Sequence, residues 1–79
     1  MNELTKMNQI TEDICRETFA RNLREQMAAN YYTVSLLSRR AGMNSNTIDN
    51  YLSMRTTPTV ASVLRLARAL NCTFSELAD

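Results

Sequence analysis

Apolar residues recur at helical spacing in several separate stretches of this 79-residue chain. In the first stretch they come every four residues, which predicts one inward face: Cys15, Phe19, Leu23 and Met27. Thr11 is placed to cap this helix, and the acidic residues that follow it favour the positive end of the helix dipole. The pattern predicts a first helix from about Glu12 to Ala29, closed by Asn30 in a left-handed conformation.

Two shorter helices follow, joined by a tight turn that contains glycine. Thr33 can cap the second helix, which places Leu37 and Ala41 inward and stops at Gly42. The third helix starts after a cap at Asn44 or Ser45. Its inner face is predicted to comprise Ile48, Tyr51 and Leu52, and its outer face Asn46, Asp49, Asn50 and Ser53.

The rest of the chain predicts two more helices. Thr59 can cap the fourth helix after a loop over 55–58, and Asn71 can end it. Its apolar stripe is expected to comprise Val60, Val63, Leu64, Ala67 and Leu70. Thr73 and Glu76 have capping-box spacing for a short fifth helix. Because residues 1–11 lack such a pattern, we expect a flexible tail there and one helical domain over 12–79.

Composition narrows the fold class and the functional classes. One glycine and one proline are too few for the turns of a multi-stranded β-fold, so the chain is predicted to be all-α. Histidine is absent, which excludes Ser-His-Asp and Cys-His catalysis and the common zinc sites. Cys15 and Cys72 match no metal or disulfide spacing, and we expect both to be buried. We therefore expect no enzyme, no metal and no cofactor.

Charge is distributed unevenly along the chain, although the formal net charge is only +1. Residues 31–72 contain one acidic residue, Asp49, against five arginines: Arg39, Arg40, Arg55, Arg65 and Arg68. A basic middle region favours a nucleic-acid partner, although solvated helix faces are also commonly charged. No apolar run approaches the roughly 20 residues of a membrane span and no signal-peptide pattern opens the chain, so we expect a cytoplasmic protein.

Two short helices joined by a glycine-containing turn are the outline of a DNA-binding helix-turn-helix, whose second helix enters the major groove. Near its start, the third helix has short hydrogen-bonding side chains of the kind that read base edges: Ser45, Asn46, Asp49 and Asn50. The same residue types also cap helices and solvate surfaces. The outline alone therefore leaves a purely structural interpretation open.

From about Phe19 to Leu77 the chain resembles the lambda-repressor-like helix-turn-helix family, of the Cro/repressor or XRE type. The resemblance runs without a gap through Thr33, Leu37, Ala41, Gly42, Met43, Thr47, Ile48, Tyr51, Pro58, the run VLRLARAL at 63–70 and the run FSEL at 74–77. It implies a compact five-helix domain with the helix-turn-helix in the second and third helices. It also implies a sequence-specific regulator of transcription, of repressor type, that binds palindromic double-stranded DNA as a homodimer.

The family's contacts can be carried over to this sequence residue by residue. The implied base readers are Ser45, Asn46 and Asn50, with Asp49 a lesser candidate because a carboxylate repels phosphate. The implied phosphate ligands are Thr33, Ser35, Asn44, Arg55 and Thr57. Arg39 and Arg40 either attract DNA at long range or belong to a solvated face. The implied subunit contacts are Phe74, Leu77 and Thr56.

The sequence departs from the family pattern at several positions. Val34 replaces a glutamine that grips phosphate, so that contact is expected to be lost or moved to Ser35. Met27 and Leu52 replace an arginine–glutamate pair, which leaves no buried charge without a partner. Tyr31 and Met54 stand at glycine positions. Because a left-handed Met54 would cost about 1–2 kcal/mol, we expect the third helix to end differently or the loop to shift.

A second hypothesis is a protein-interaction module that keeps this fold without binding DNA. The modest net charge and the missing glutamine favour it. Salt separates the two hypotheses, because DNA binding through several phosphates weakens steeply as salt rises and an apolar interface does not respond in this way.

Overall fold

The computed structural model describes residues 14–79, and within them five helices follow one another in the predicted order. They are α1 (Arg16–Ala29), α2 (Val34–Ala41), α3 (Ser45–Leu52), α4 (Val60–Leu70) and α5 (Phe74–Ala78). No strand occurs in this range, so the all-α, five-helix prediction is confirmed. The predicted cap at Thr11 and the predicted tail over 1–11 lie outside the described residues.

The first helix begins later than predicted, and this changes the environment of Cys15. Cys15 is the extended residue before α1 and is exposed, so its predicted burial on the helix stripe is wrong. Ile14 occupies the core there instead, with 7% of its surface exposed. A hydrogen bond with the Thr18 side chain lowers the pKa of the Cys15 thiol. Cys72 is half-buried, and that burial raises its pKa.

Side-chain caps begin α2, α3, α4 and α5, as the sequence predicts. Thr33 Oγ1 accepts from Leu36 N (3.1 Å) and Thr59 Oγ1 accepts from Ser62 N (3.1 Å). Asn44, rather than Ser45, caps α3 through Oδ1 and Asn46 N (2.8 Å). The capping box of α5 pairs Thr73 Oγ1 with Glu76 N (3.1 Å) and Glu76 Oε1 with Thr73 N (3.0 Å). Each cap typically contributes about 1 kcal/mol.

The helices α1 to α4 all end in the same backbone motif, in which one left-handed residue turns the chain. The left-handed residues are Tyr31 (φ 57°), Gly42 (φ 66°), Met54 (φ 62°) and Asn71 (φ 55°). In each case the next N–H bonds to the carbonyl five residues back: Tyr32 to Met27 (2.8 Å), Met43 to Ser38 (3.0 Å), Arg55 to Asn50 (2.9 Å) and Cys72 to Ala67 (2.9 Å). The predictions for Gly42 and Asn71 are therefore confirmed.

The other two helix ends contradict their predictions. Asn30 has φ −104°, and the left-handed residue is its neighbour Tyr31. Met54 is left-handed despite the strain, so the expectation of a different end to α3 is wrong. The reason is the same in both places. Packing fixes where the helix must stop, and the residue at that position adopts the required φ whatever its own preference.

The core takes one face from every helix. Its fully buried members include Phe19, Leu23, Leu37, Ile48, Val63, Leu66 and Leu77. The rings of Phe19 and Tyr51 meet edge to face, with centroids 5.5 Å apart and planes at 82°. Tyr32 packs against this core, and its Oη donates to the Ala69 carbonyl (3.2 Å). The core therefore fixes α1 and α3 to each other and Tyr32 to α4.

The predicted stripe of α4 is shifted around the helix. Val63, Ala67 and Leu70 are buried as expected, but Val60 and Leu64 remain 43% and 47% exposed. Leu66 is fully buried in their place. At 100° per residue, Leu66 lies among the buried positions on the helix circumference, whereas Val60 and Leu64 lie at one edge of the stripe. No helix within residues 14–79 is both long and apolar enough to cross a membrane.

Candidate nucleic-acid interface

The helices α2 and α3 form a helix-turn-helix around Gly42. A Cβ atom at Gly42 would have no neighbour within 4 Å, so the glycine is required for its positive φ and not for space. Met43 packs against the core after the turn. Ile48 (0% exposed) and Tyr51 (6% exposed) then fix the rotation of α3 about its axis. The local sequence and the core together hold α3 in one orientation.

This orientation presents the predicted base readers on one side of α3. Ser45, Asn46 and Asp49 are exposed, and Asn50 is half-buried. Among the hydrogen bonds of residues 14–79, none uses the side chain of any of these four residues. Their hydroxyl, amide and carboxylate groups are therefore available to an external partner. The face predicted from helical periodicity is the face that the structure exposes.

On the α2 side, the predicted phosphate ligands have structural roles that leave a donor group free. Thr33 and Asn44 use side-chain oxygens as acceptors in their helix caps. The Thr33 hydroxyl proton and the Asn44 amide NH₂ remain able to donate. Ser35 is exposed in the first turn of α2, and its carbonyl accepts from the Ser38 hydroxyl (2.9 Å). That bond satisfies the Ser38 hydroxyl within α2.

After α3, Arg16 of α1 reaches the loop over 53–59 and Arg24 of α1 reaches the last residue of α3, which sequence reasoning did not anticipate. Arg16 Nε donates to Thr57 Oγ1 (2.7 Å), and Arg16 Nη1 donates to the Arg55 carbonyl (3.1 Å). Arg24 Nη2 donates to the Leu52 carbonyl (3.1 Å). The Arg55 side chain is exposed and Thr57 is half-buried. These partners are 28 to 41 residues apart, so no local sequence signal could have identified them.

Further basic side chains lie near the end of α2. Arg39 and Arg40 are exposed in its last turn, where a positive charge is favoured by the helix dipole. Arg40 also lines an open groove between α2 and α4, together with Ala41, Arg65, Arg68 and Ala69. No acidic residue of the described range lines this groove. Both the electrostatic role and the solvated face predicted for Arg39 and Arg40 fit this position.

The three predicted subunit contacts differ in their exposure. Thr56 is exposed and Phe74 is half-buried, so both have surface to offer. Leu77 is fully buried, and its carbonyl accepts from Asn22 Nδ2 (3.0 Å). The Leu77 side chain is therefore used within the monomer core and does not reach the surface. The exposed Val60 and Leu64, one helical turn apart on α4, were assigned to the core from sequence and add apolar surface instead.

Comparison with known proteins agrees with this geometry. Residues 22–79 match the family model described as the Cro/C1-type HTH DNA-binding domain. Neither a curated protein nor a solved structure matches the chain. The matched range runs from the middle of α1 to the last residue and includes the whole helix-turn-helix. Since it covers well over half of the sequence, the chain belongs to the Cro/C1-type helix-turn-helix DNA-binding domains.

Proposed function

We propose that the protein regulates transcription, as a repressor, by reading palindromic double-stranded DNA with α3 in the major groove. The observation that supports this most directly is the outer face of α3, where the side chains of Ser45, Asn46, Asp49 and Asn50 have no hydrogen-bond partner within residues 14–79. Because Ile48 and Tyr51 hold α3 against the core, the helix presents these groups in one direction before DNA binds. Repression requires only that the DNA site be occupied.

Asn46 and Asn50 are the proposed main base readers. Each amide can pair bidentately with adenine, and such a pair is worth about 1–3 kcal/mol of discrimination. They lie one helical turn apart, or about 6 Å along α3, so they can address different base pairs. Ser45 can bond to several bases, whereas Asp49 can accept only from cytosine and is the lesser candidate. The amide pair is therefore the first target for mutation.

The proposed phosphate ligands come before and after the reading face in the chain. Thr33, Ser35 and Asn44 offer neutral donors at the starts of α2 and α3. Arg55 and Thr57 offer a cation and a hydroxyl in the loop after α3. Contacts from such donors to the DNA backbone fix the register of a recognition helix without reading sequence.

The proposed homodimer follows from the palindromic site, because two-fold symmetric DNA matches two-fold symmetric protein. Phe74 and Thr56 are the proposed subunit contacts. Leu77 is buried, so it can only pack beneath the surface that they form. Val60 and Leu64 provide exposed apolar area that a second copy could cover.

The decisive experiment is selection from a randomised duplex library at two salt concentrations, with the Asn46→Ala/Asn50→Ala double variant beside the wild type. We expect the wild type to enrich an inverted repeat with half-sites about one helical turn, roughly 34–36 Å, apart or a multiple of it. The double variant should lose preference at particular bases and keep salt-sensitive binding to random duplexes. Asn30→Ala, an exposed asparagine outside α3, is the matched control. Equal loss of specific and random binding in the double variant would contradict the assigned reading role.

The alternative is a protein-interaction module of the same fold. Val34 favours it, because this residue packs against the core where the family often has a phosphate-gripping glutamine. No enrichment, together with retention that does not respond to salt, would support this alternative. Neither function requires a catalytic group or a cofactor. As a DNA-binding regulator, the protein would act on DNA in the cytoplasm.

A further inference from the structure

We propose that Arg16 is a direct phosphate ligand and completes a phosphate-binding site in the loop over 53–59. The inference rests on the proposed DNA-binding function and adds a residue that lies before the family-matched range of 22–79. Arg16 is the first residue of α1 and is exposed. The site would consist of Arg16, Arg55 and Thr57.

The Arg16 guanidinium lies against the loop after α3. Its Nε lies 2.7 Å from Thr57 Oγ1 and its Nη1 lies 3.1 Å from the Arg55 carbonyl. It is therefore held against the two loop residues that were independently assigned to phosphate from the family pattern.

The Arg16 guanidinium keeps donors that its bonds to the loop do not use. A guanidinium has five N–H groups, and Arg16 uses two of them within residues 14–79. The other three are available to an anion, and guanidinium geometry suits bidentate contact with phosphate oxygens. Thr57 Oγ1 accepts from Arg16, which leaves the Thr57 hydroxyl proton free to donate to the same phosphate.

The segment around Arg55 is rich in positive charge. Residues 50–75 contain three arginines and no acidic residue. Bringing Arg16 to the backbone of Arg55 adds another positive charge to this region. Arg55 on the loop and Arg16 on α1 both carry a positive charge, so this region attracts an anion. The acidic residue in the first turn of α1 is Glu17, next to Arg16, and no acidic residue occurs over 50–75.

The loop after α3 is anchored differently from the other three turns. After the left-handed residue, Tyr32, Met43 and Cys72 each pack against the core in their turns. Arg55 holds the same position after α3, yet its side chain is exposed. The backbone of Arg55 is held instead by Arg16. The loop is thus fixed without burying the Arg55 side chain, which stays exposed.

The test measures binding to a mixed-sequence DNA duplex across a salt series from about 50 to 200 mM. The proteins are the wild type, Arg16→Ala, Arg55→Ala, the double variant and Arg21→Ala. Arg21 is the matched control, because it is an exposed arginine of the same helix. We expect Arg16→Ala to weaken binding about tenfold and to reduce the salt slope by about one unit. Arg21→Ala should change neither, and the double variant should lose about two units of slope.

A melting curve of Arg16→Ala checks that the fold is retained, and Arg16→Lys provides a second test that preserves the charge. The lysine variant should keep the salt slope of the wild type. If Arg16→Ala behaves like Arg21→Ala while the wild type binds DNA, Arg16 is not a ligand and the DNA-binding function stands. If Arg16→Ala has no effect in the Arg55→Ala background, Arg16 acts only by positioning Arg55, and the direct contact is refuted. A wild type without salt-sensitive binding overturns the proposed function itself.

Discussion

The two connections that flank α3 share one backbone motif but stabilise it with different side chains. The turn before α3 has Gly42 at φ 66°, and the turn after it has Met54 at φ 62°. Met43 follows the first and packs against the core, whereas Arg55 follows the second and is exposed. The first turn is encoded by its own residues. The second depends on α1, and this dependence leaves Arg55 free for an external partner.

Hydrogen bonding explains how the second turn tolerates an unfavourable residue. Each of the last four carbonyls of α3 has a donor. Ser53 N bonds to Asp49 O (3.0 Å), Arg55 N to Asn50 O (2.9 Å), Met54 N to Tyr51 O (3.1 Å) and Arg24 Nη2 to Leu52 O (3.1 Å). Unpaired carbonyls at a helix end would otherwise require water or another cap. This complete set of bonds offsets the strain at Met54.

The largest effect is predicted for Gly42→Ala. The alanine Cβ meets nothing within 4 Å, so the cost is the left-handed backbone alone, about 1–2 kcal/mol. Thermal unfolding should show a melting temperature lower by roughly 5–15 °C. Gly42→Asn is the matched variant and should lose less, because asparagine tolerates this conformation better. If alanine and asparagine were equally harmless, the turn before α3 would not depend on glycine, and the contrast with Met54 would disappear.

The same contrast separates what the sequence could predict from what it could not. Caps and stops that depend on neighbouring residues were predictable, as Thr33, Gly42 and Thr73 illustrate. So was the outer face of α3, because helical periodicity determines it once Ile48 is placed inward. These features determine the fold class and the candidate reading face.

Features that depend on distant contacts were not predictable. Tyr31 and Met54 are left-handed because packing decides where α1 and α3 end. Leu66 is buried in preference to Leu64 because the neighbouring helices select the edge of the apolar stripe. The hydrogen bonds of Arg16 join residues 39 and 41 positions apart, which no local pattern reveals. Within the candidate site, the proposed contact of Arg16 is consequently the part that needed the structure, whereas the other candidate phosphate ligands came from the family resemblance.

A smaller effect of opposite sign is predicted for Met54→Gly. Glycine removes about 1–2 kcal/mol of left-handed strain, but its unfolded state is more flexible, which costs about 0.5–1 kcal/mol. The Met54 side chain is 46% exposed, so little packing is lost. Urea denaturation should show a net gain of about 0–1.5 kcal/mol with an unchanged slope. Met54→Ala is the control, since it shortens the side chain and keeps the strain; an equal gain in both variants would show that φ is not the cause.

The smallest effect is predicted for Arg24→Gln, which replaces the guanidinium donor to the Leu52 carbonyl by a shorter, uncharged amide. Because the bond is exposed, we expect a loss of about 0.5 kcal/mol in urea denaturation. Arg21→Gln, on the same helix, should cost less. The informative measurement is the double variant with Met54→Gly. If Arg24 helps to hold the strained turn, Met54→Gly should reduce the loss of stability caused by Arg24→Gln. The two changes would then not be additive. Strict additivity would mean that Arg24 caps α3 independently of the turn, and that the closing bonds from Met54 and Arg55 are enough to hold the left-handed residue.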